Sequence, residues 1–349
     1  MKTSYRESDV ILLLKDITGL VEPQPTIERE KLIQAGKHYC EMLPIEYVPT
    51  EKYMEIYEEA LKNYAGATAN AIGCLADRIM EKRGKDIVLV SLARAGIPIG
   101  ILLKRYLKLK YRLDTPHYAI SIIRGRGIDK NAMKFLLSQY QPERLLFVDG
   151  WIGKGAILKE LQKEIADYDG VSPEIAVAAD PANVTELCGT HEDILIPSSC
   201  LNCTVSGLVS RTFLREDIIG PKDYHGAVYY GELADADLSY PFIEAIEKHF
   251  TIQNSKTKNR ITGQGAKEVQ KLAERYSIAD INLIKPGIGE TTRVLLRRVP
   301  WKVLIDAKYK GHDELAHIVR LAKEKEVPVE YGALSHYKCC GIIKKLADA

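Results

Sequence analysis

The chain has 349 residues, 46% of them hydrophobic, and a formal net charge of +2. That length and composition can bury two cores, and the absence of a long apolar run excludes a membrane span. Seven cysteines, an odd number, predict reduced thiols in a cytosol; Val10 to Leu14 is too short for a signal-peptide core, and Lys15-Asp16 comes at once after it.

In chain order, residues 50–82 predict one or two amphipathic helices that lead into the first strand and frame the domain. Asp86 to Val90 reads as a buried strand that runs into the small-residue loop Ser91 to Gly100 and then a helix. Tyr118 to Ile123 predicts another strand, and the basic, glycine-containing segment Arg124 to Lys130 has the make-up of a mobile lid. The most informative stretch is Arg144 to Ala156. A buried strand ends in Asp149, passes through Gly150, Gly153 and Gly155, and opens a helix over Ile157 to Ala166. Free backbone N–H groups and a positive helix end suit a phosphate there, and the glycines allow close approach. Neither a Walker loop nor a dinucleotide fingerprint matches the spacing.

The ordered set resembles the type I phosphoribosyltransferases. The resemblance implies that Ala93, Arg94, Ala95 and Gly96 form a pyrophosphate loop and that Arg124 to Lys130 forms a hood. It also implies that Asp149 to Gly155 binds the ribose and 5′-phosphate of phosphoribosyl pyrophosphate with Mg²⁺. Gly150 stands where a second acid is usual, and Lys154 stands where Thr is usual. Asp149, Arg94, Arg124 and Arg126 are then the candidate catalytic residues. Gly150, Gly153, Lys154, Gly155, Lys130, Ser210 and Arg211 join the loop residues as substrate contacts. In such chemistry a carboxylate steadies positive charge on the sugar while cations and N–H groups steady the leaving pyrophosphate.

Glu192 to Ser210, with Cys200, Cys203, Ser206 and Ser210 and followed by Arg211-Thr212-Phe213, narrows the resemblance to one bacterial family. That family is fused to a Pelota-like RNA-binding domain, occurs with tellurium-resistance stress genes, and is also described as StiP-type cysteine proteases. A protease would need a thiolate with a histidine base, and Cys200 with His225 is the pair the sequence offers. Cys188, His191, Cys200 and Cys203 have ligand-like internal spacing for zinc, but the gap between the pairs is short, so buried structural cysteines are the expectation and no metal site is assigned.

Charge divides the chain. Residues 251–349 hold 19 Lys and Arg against 11 Asp and Glu, whereas residues 1–250 hold 30 against 36. A basic C-terminal unit predicts a polyanion partner. Thr251 to Gly265, without an acidic residue, reads as a linker. Beyond it, alternating stretches over Ala266–Tyr276, Ile281–Ile284, Glu290–Arg298, Val303–Ile305, Glu314–Glu324 and Val327–Tyr331 predict a small α/β sandwich. The turn Lys285 to Arg293 resembles the contact motif of the kink-turn RNA-binding superfamily that includes the Pelota C-terminal domain. That implies RNA contacts from Gly287, Gly289, Glu290, Thr292 and Arg293, with Gly289 in place of the Asn common there.

Together these readings predict an α/β protein. Residues 1–255 form a type I phosphoribosyltransferase-like parallel-sheet domain with an N-terminal helical extension, and residues 256–349 form an α/β/α Pelota-like sandwich. The implied function is a cytoplasmic phosphoribosyltransferase-like enzyme that makes or modifies a nucleoside-like molecule in a stress response. The alternatives are a StiP-type cysteine protease and a non-catalytic, nucleotide-sensing RNA binder.

Overall fold

The computed structural model describes residues 1–252 and 261–344; most of the predicted linker lies outside the described residues. Six strands form one parallel sheet: β1 (Ile11–Leu12), β2 (Val88–Leu92), β3 (His117–Ile120), β4 (Leu145–Trp151), β5 (Ile175–Ala179) and β6 (Cys188–Thr190), in the order β1-β3-β2-β4-β5-β6. Every residue of β2, β3 and β5 is buried, as a parallel sheet covered on both faces requires. The apolar runs therefore show no alternation.

Helices α1 (Glu51–Arg83) and α2 (Gly96–Tyr111) pack on one face through Ile72, Leu75, Ile101 and Leu102. The helix Lys130–Gln139 and α3 (Ala156–Ile165) cover the other through Met133, Leu136, Leu158 and Leu161. The residues predicted to form one or two helices make a single helix of 33 residues, about 50 Å long at 1.5 Å per residue.

The strand predicted over Tyr118–Ile123 divides. Its first half enters the sheet, while Ile122–Ile123 turns away to pair with Gly127–Ile128 in a hairpin. Gly125 and Gly127 take φ of 77° and 88°, which the tight turn requires. Ser121 marks the break: its carbonyl accepts from Asp129 N–H at 3.0 Å and its hydroxyl meets His225 Nδ1 at 2.8 Å. The segment expected to be a mobile lid is thus a paired hairpin, tied down by Gly125 N–H donating to Glu160 at 2.7 Å.

The C-terminal part has its own mixed sheet of β7 (Ile284–Pro286), β8 (Pro300–Asp306), β9 (Val329–Gly332) and β10 (Cys339–Ile343), ordered β7-β10-β8-β9. Helix α4 (Ile288–Arg297) packs on it. Strand β10, fully buried between two antiparallel neighbours, has no counterpart among the elements predicted from sequence. Its Cys-Cys-Gly-Ile-Ile run is too short for a period to show.

The two sheets are joined by more than a connecting segment. One continuous core runs from Leu75, Ile101 and Val148 through Cys200 to Ile288, Leu295, Val303 and Ile318. Helix α1 reaches both parts, since Tyr53 OH donates to Leu296 O and Tyr64 OH to Glu314 O at 3.2 Å.

Candidate active site

A cavity of about 1780 Å³ lies where the carboxyl end of β4 and its glycine turn face the first turn of α4. Thirteen Lys and Arg line it against five carboxylates, so the wall is strongly cationic. Mutual repulsion and desolvation show in its charged groups. Burial, then Lys285 and Arg124, bring Lys154 down to about 7, and burial, then Arg29 and Arg94, bring Arg211 down to about 9. Burial pushes the Asp149 carboxyl up to about 7. Burial also opposes ionisation of Glu290, yet Arg293, Lys285 and Lys154 together hold it below its ordinary value.

Ala93, Arg94, Ala95, Arg124, Asp149, Gly153, Lys154, Gly155 and Arg211 all reach this cavity. Their partners differ from those a phosphorylated sugar would need. Arg94 is spent on Glu46 at 2.9 Å and Val209 O at 2.8 Å. Lys154 donates to Ile281 O at 2.6 Å and Ile284 O at 3.3 Å, which pins the C-terminal part instead of a phosphate. Gly96 and Gly150 serve packing between β4 and the Ala95 loop, where a Cβ on Gly96 would lie 2.4 Å from Val148 O. Arg126 pairs with Glu41 at 2.7 Å on the surface, and Lys130 is an exposed first residue of its helix. Ser210 is buried and donates to Arg211 O at 2.7 Å. For Mg²⁺, a hard cation that wants carboxylate oxygens, Asp149 and Glu290 stand among Lys154, Lys285 and Arg293. The donor set does not fit that ion.

The predicted RNA motif also faces inward. Ile288 N–H donates to Asp193 at 2.9 Å, and Lys338 N–H donates to the other Asp193 oxygen at 2.8 Å. The protein's own carboxylate thus takes the anion position at the start of α4. Thr292 is fully buried, its hydroxyl between Ile288 O at 2.8 Å and His317 Nε2 at 2.9 Å. Gly287 lies against Asp193, and Gly289 against Ser199 and Trp151. Glu290 and Arg293 reach the cavity, joined at 3.3 Å, with Arg293 over the Trp151 ring at 5.7 Å.

The thiols sort just as sharply. Cys200 belongs to the continuous core, where burial pushes it up to about 12. His225 is tied elsewhere, to Ser121 through Nδ1 and to Asp129 through its backbone N–H at 2.6 Å. Among the described residues no hydrogen bond joins Cys200 to His225.

A different pair stands at the cavity. His38 Nδ1 lies 2.9 Å from Cys40 Sγ, and His38 Nε2 lies 3.0 Å from Arg124 O. A carbonyl can only accept, so Nε2 carries the proton, and the Nδ1 lone pair faces the thiol and also accepts from the Cys40 backbone N–H at 3.4 Å, while Sγ reaches Leu214 O at 3.5 Å. His38 and Tyr39 line the cavity, with Cys40 buried just behind them. Burial holds His38 below 6.5 and pushes Cys40 up to about 11, so the resting pair is neutral imidazole and thiol. Only the adjacency His-Tyr-Cys signalled this pair in the sequence, and it matches no motif. All seven cysteines are free, and among the described residues no helix is long and apolar enough to cross a membrane.

Comparison with known proteins shows the same division of the chain. Residues 3–247 match the family model described as tellurite-like stress resistance cysteine protease StiP, and residues 263–345 match the PELOTA RNA binding domain. A protein from Acinetobacter baylyi named Cysteine protease StiP is 35% identical over 365 aligned positions, covering 98% of this chain and 94% of that protein. Among solved structures, a hypoxanthine-guanine phosphoribosyltransferase from Bacillus anthracis overlaps 40% of this chain and 72% of its own at 14% identity and a TM-score of 0.22. Mouse CSAD overlaps 94% and 79% at 10% identity and a TM-score of 0.23. At those scores neither bears on the fold or the chemistry. The phosphoribosyltransferase function is thereby overturned, because the full-length relative and the matching family are both described as cysteine proteases. The chain belongs to the StiP family, and its C-terminal part matches the PELOTA RNA binding domain.

Proposed function

We propose that this protein is a thiol-dependent peptidase in which Cys40 is the nucleophile and His38 its general base, working at the cationic cavity, with RNA bound through the PELOTA-type part. The 2.9 Å approach of His38 Nδ1 to Cys40 Sγ, with the other ring nitrogen committed to Arg124 O, carries the reading. A thiol is activated by an adjacent base held in the correct tautomer by a third group, and here a backbone carbonyl plays that third part. The proton on Sγ passes to Nδ1 as sulfur attacks the peptide carbonyl carbon, the imidazolium returns it to the leaving amine as the C–N bond breaks, and water, deprotonated by Nδ1, then cleaves the thioester to release the carboxylic acid and the thiol. Because Cys40 is buried behind the wall, the wall at His38 and Tyr39 must open for a substrate to reach sulfur. The cationic lining favours acidic peptide segments. The finer likeness of the first sheet to a type I phosphoribosyltransferase fold is part of this proposal as scaffold only.

Hydrolysis of fluorescently labelled casein by the full chain tests the assignment. Cys40→Ala and His38→Ala should abolish turnover, whereas Cys200→Ala and His225→Gln should retain it. A Cys40→Ala protein with the wild-type rate would end the assignment.

A further inference from the structure

The edge of the first sheet gathers a second cluster, built from residues the proposed peptidase does not use. Asp180 comes directly after β5. Its Oδ2 accepts from Val184 N–H at 2.7 Å and Thr185 N–H at 2.8 Å, while Oδ1 is buried without a partner in a residue that is 0% exposed. Cys188 opens β6, whose pairing with β5 puts Cys188 beside Val177 and Thr190 beside Ala179. His191 comes one residue after that strand's last. The ring Nδ1 lies 2.9 Å from Asp180 O, so Nδ1 carries the proton and Nε2 keeps its lone pair. The Cys188 sulfur is 3.6 Å from both ring nitrogens, and Asp180 Oδ2 is 3.6 Å from Nδ1. A sulfur, an imidazole nitrogen and a carboxylate oxygen all lie within 4.8 Å of one another.

We infer that Asp180, Cys188 and His191 form a zinc site. Tetrahedral coordination with Zn–S near 2.3 Å and Zn–N or Zn–O near 2.0–2.2 Å separates neighbouring ligand atoms by about 3.3–3.6 Å; Cys188 Sγ lies 3.6 Å from His191 Nε2, and the three donors, all within 4.8 Å, close on the ion by turning their side chains. The thiolate selects against Mg²⁺ and Ca²⁺, which take oxygen ligands, and the mixed sulfur, nitrogen and oxygen set suits Zn²⁺. The bond from His191 Nδ1 to a backbone carbonyl is the outer contact that orients a metal-bound imidazole through its other nitrogen. Asp180 Oδ1 supplies the remaining donor, and zinc gives that buried oxygen the partner it lacks. His191, with a side chain 20% exposed, gives the ion its way in, and water takes the fourth position. Binding releases the Cys188 proton to solvent.

The sequence spacing pointed at Cys188 and His191 but supplied the wrong companions. Cys203 is held near Glu46, which accepts from its backbone N–H at 3.2 Å, and Cys200 lies in the core. Asp180, at the end of the neighbouring strand, replaces them.

Metal analysis of the full chain after stripping with chelator, reloading with zinc and gel filtration tests this directly. Wild type should retain about one zinc per chain, Cys203→Ser should retain the same, and Cys188→Ser or His191→Ala should lose affinity by about tenfold or more. Cobalt loading of wild type, which needs no variant to fold, should give a thiolate-to-cobalt charge-transfer band. Absence of that band, or equal zinc in wild type and Cys188→Ser, would overturn the site.

Discussion

The cavity wall and the sheet edge each hold a cysteine beside a histidine, and the two pairs are built for different work. At the wall, the carbonyl of Arg124 takes one ring nitrogen and the other points at sulfur at 2.9 Å. At the edge, sulfur lies equally far, at 3.6 Å, from both nitrogens, and a buried carboxylate completes the group. The first arrangement is directed, as a proton transfer needs. The second is a cluster of three donor types that must turn inward to meet an ion. Both thiols are buried, so burial does not distinguish them; the atom that engages the second ring nitrogen and the third group do.

The most severe way to break this comparison is to exchange the losses. Cys40→Ala should reduce peptide hydrolysis by at least about 100-fold, while Cys188→Ala should leave the rate intact; rates found the other way round would invert the two roles. The pH profile sharpens it. Since burial holds His38 below 6.5, the neutral base persists into mild acid, and the acid limb of kcat/KM should lie below pH 6.5 and stay in place in His191→Ala.

A smaller effect tests burial without a paired base. The Asp149 carboxyl, raised from 3.8 to about 7, stays protonated in the folded chain while the unfolded chain has ionised. Stability should therefore fall as pH rises from about 4 to about 7 and stay level above. Asp149→Asn removes that dependence and should gain about 1–2 kcal/mol on wild type at pH 5, rising to about 4 kcal/mol at pH 8, measured by urea unfolding; parallel curves would show that Asp149 ionises normally. The smallest change is expected from Cys200→Ala, which should cost about 1 kcal/mol of stability through lost packing and nothing in rate.

The strand, turn and helix around Asp149 were legible in the sequence because a long apolar run and three glycines leave little choice. The long helix from Glu51 and the C-terminal helices were legible through their 3.6-residue period. What stayed hidden depended on tertiary partners. Arg94, Lys154 and Arg211 have the right residue types for an anion, yet Glu46, Ile281 O and the neighbouring arginines decide their state. The start of α4 has a glycine turn suited to phosphate, yet Asp193, nearly a hundred residues away, takes the position. His38 pairs with Cys40 locally, but Arg124 orients it from 86 residues along the chain.

Arg124 joins the ends of this arrangement. Its carbonyl fixes the His38 tautomer, its N–H donates to Tyr39 OH at 3.0 Å, and its guanidinium donates to Asn282 Oδ1 at 2.6 Å in the C-terminal part. Asn282 is thus joined through Arg124 to the thiol's base, and a ligand of the C-terminal part that displaced Asn282 would loosen the group that holds the base in register. If RNA shifts that bond, RNA and a reversible inhibitor at Cys40 should change each other's affinity by the same free energy.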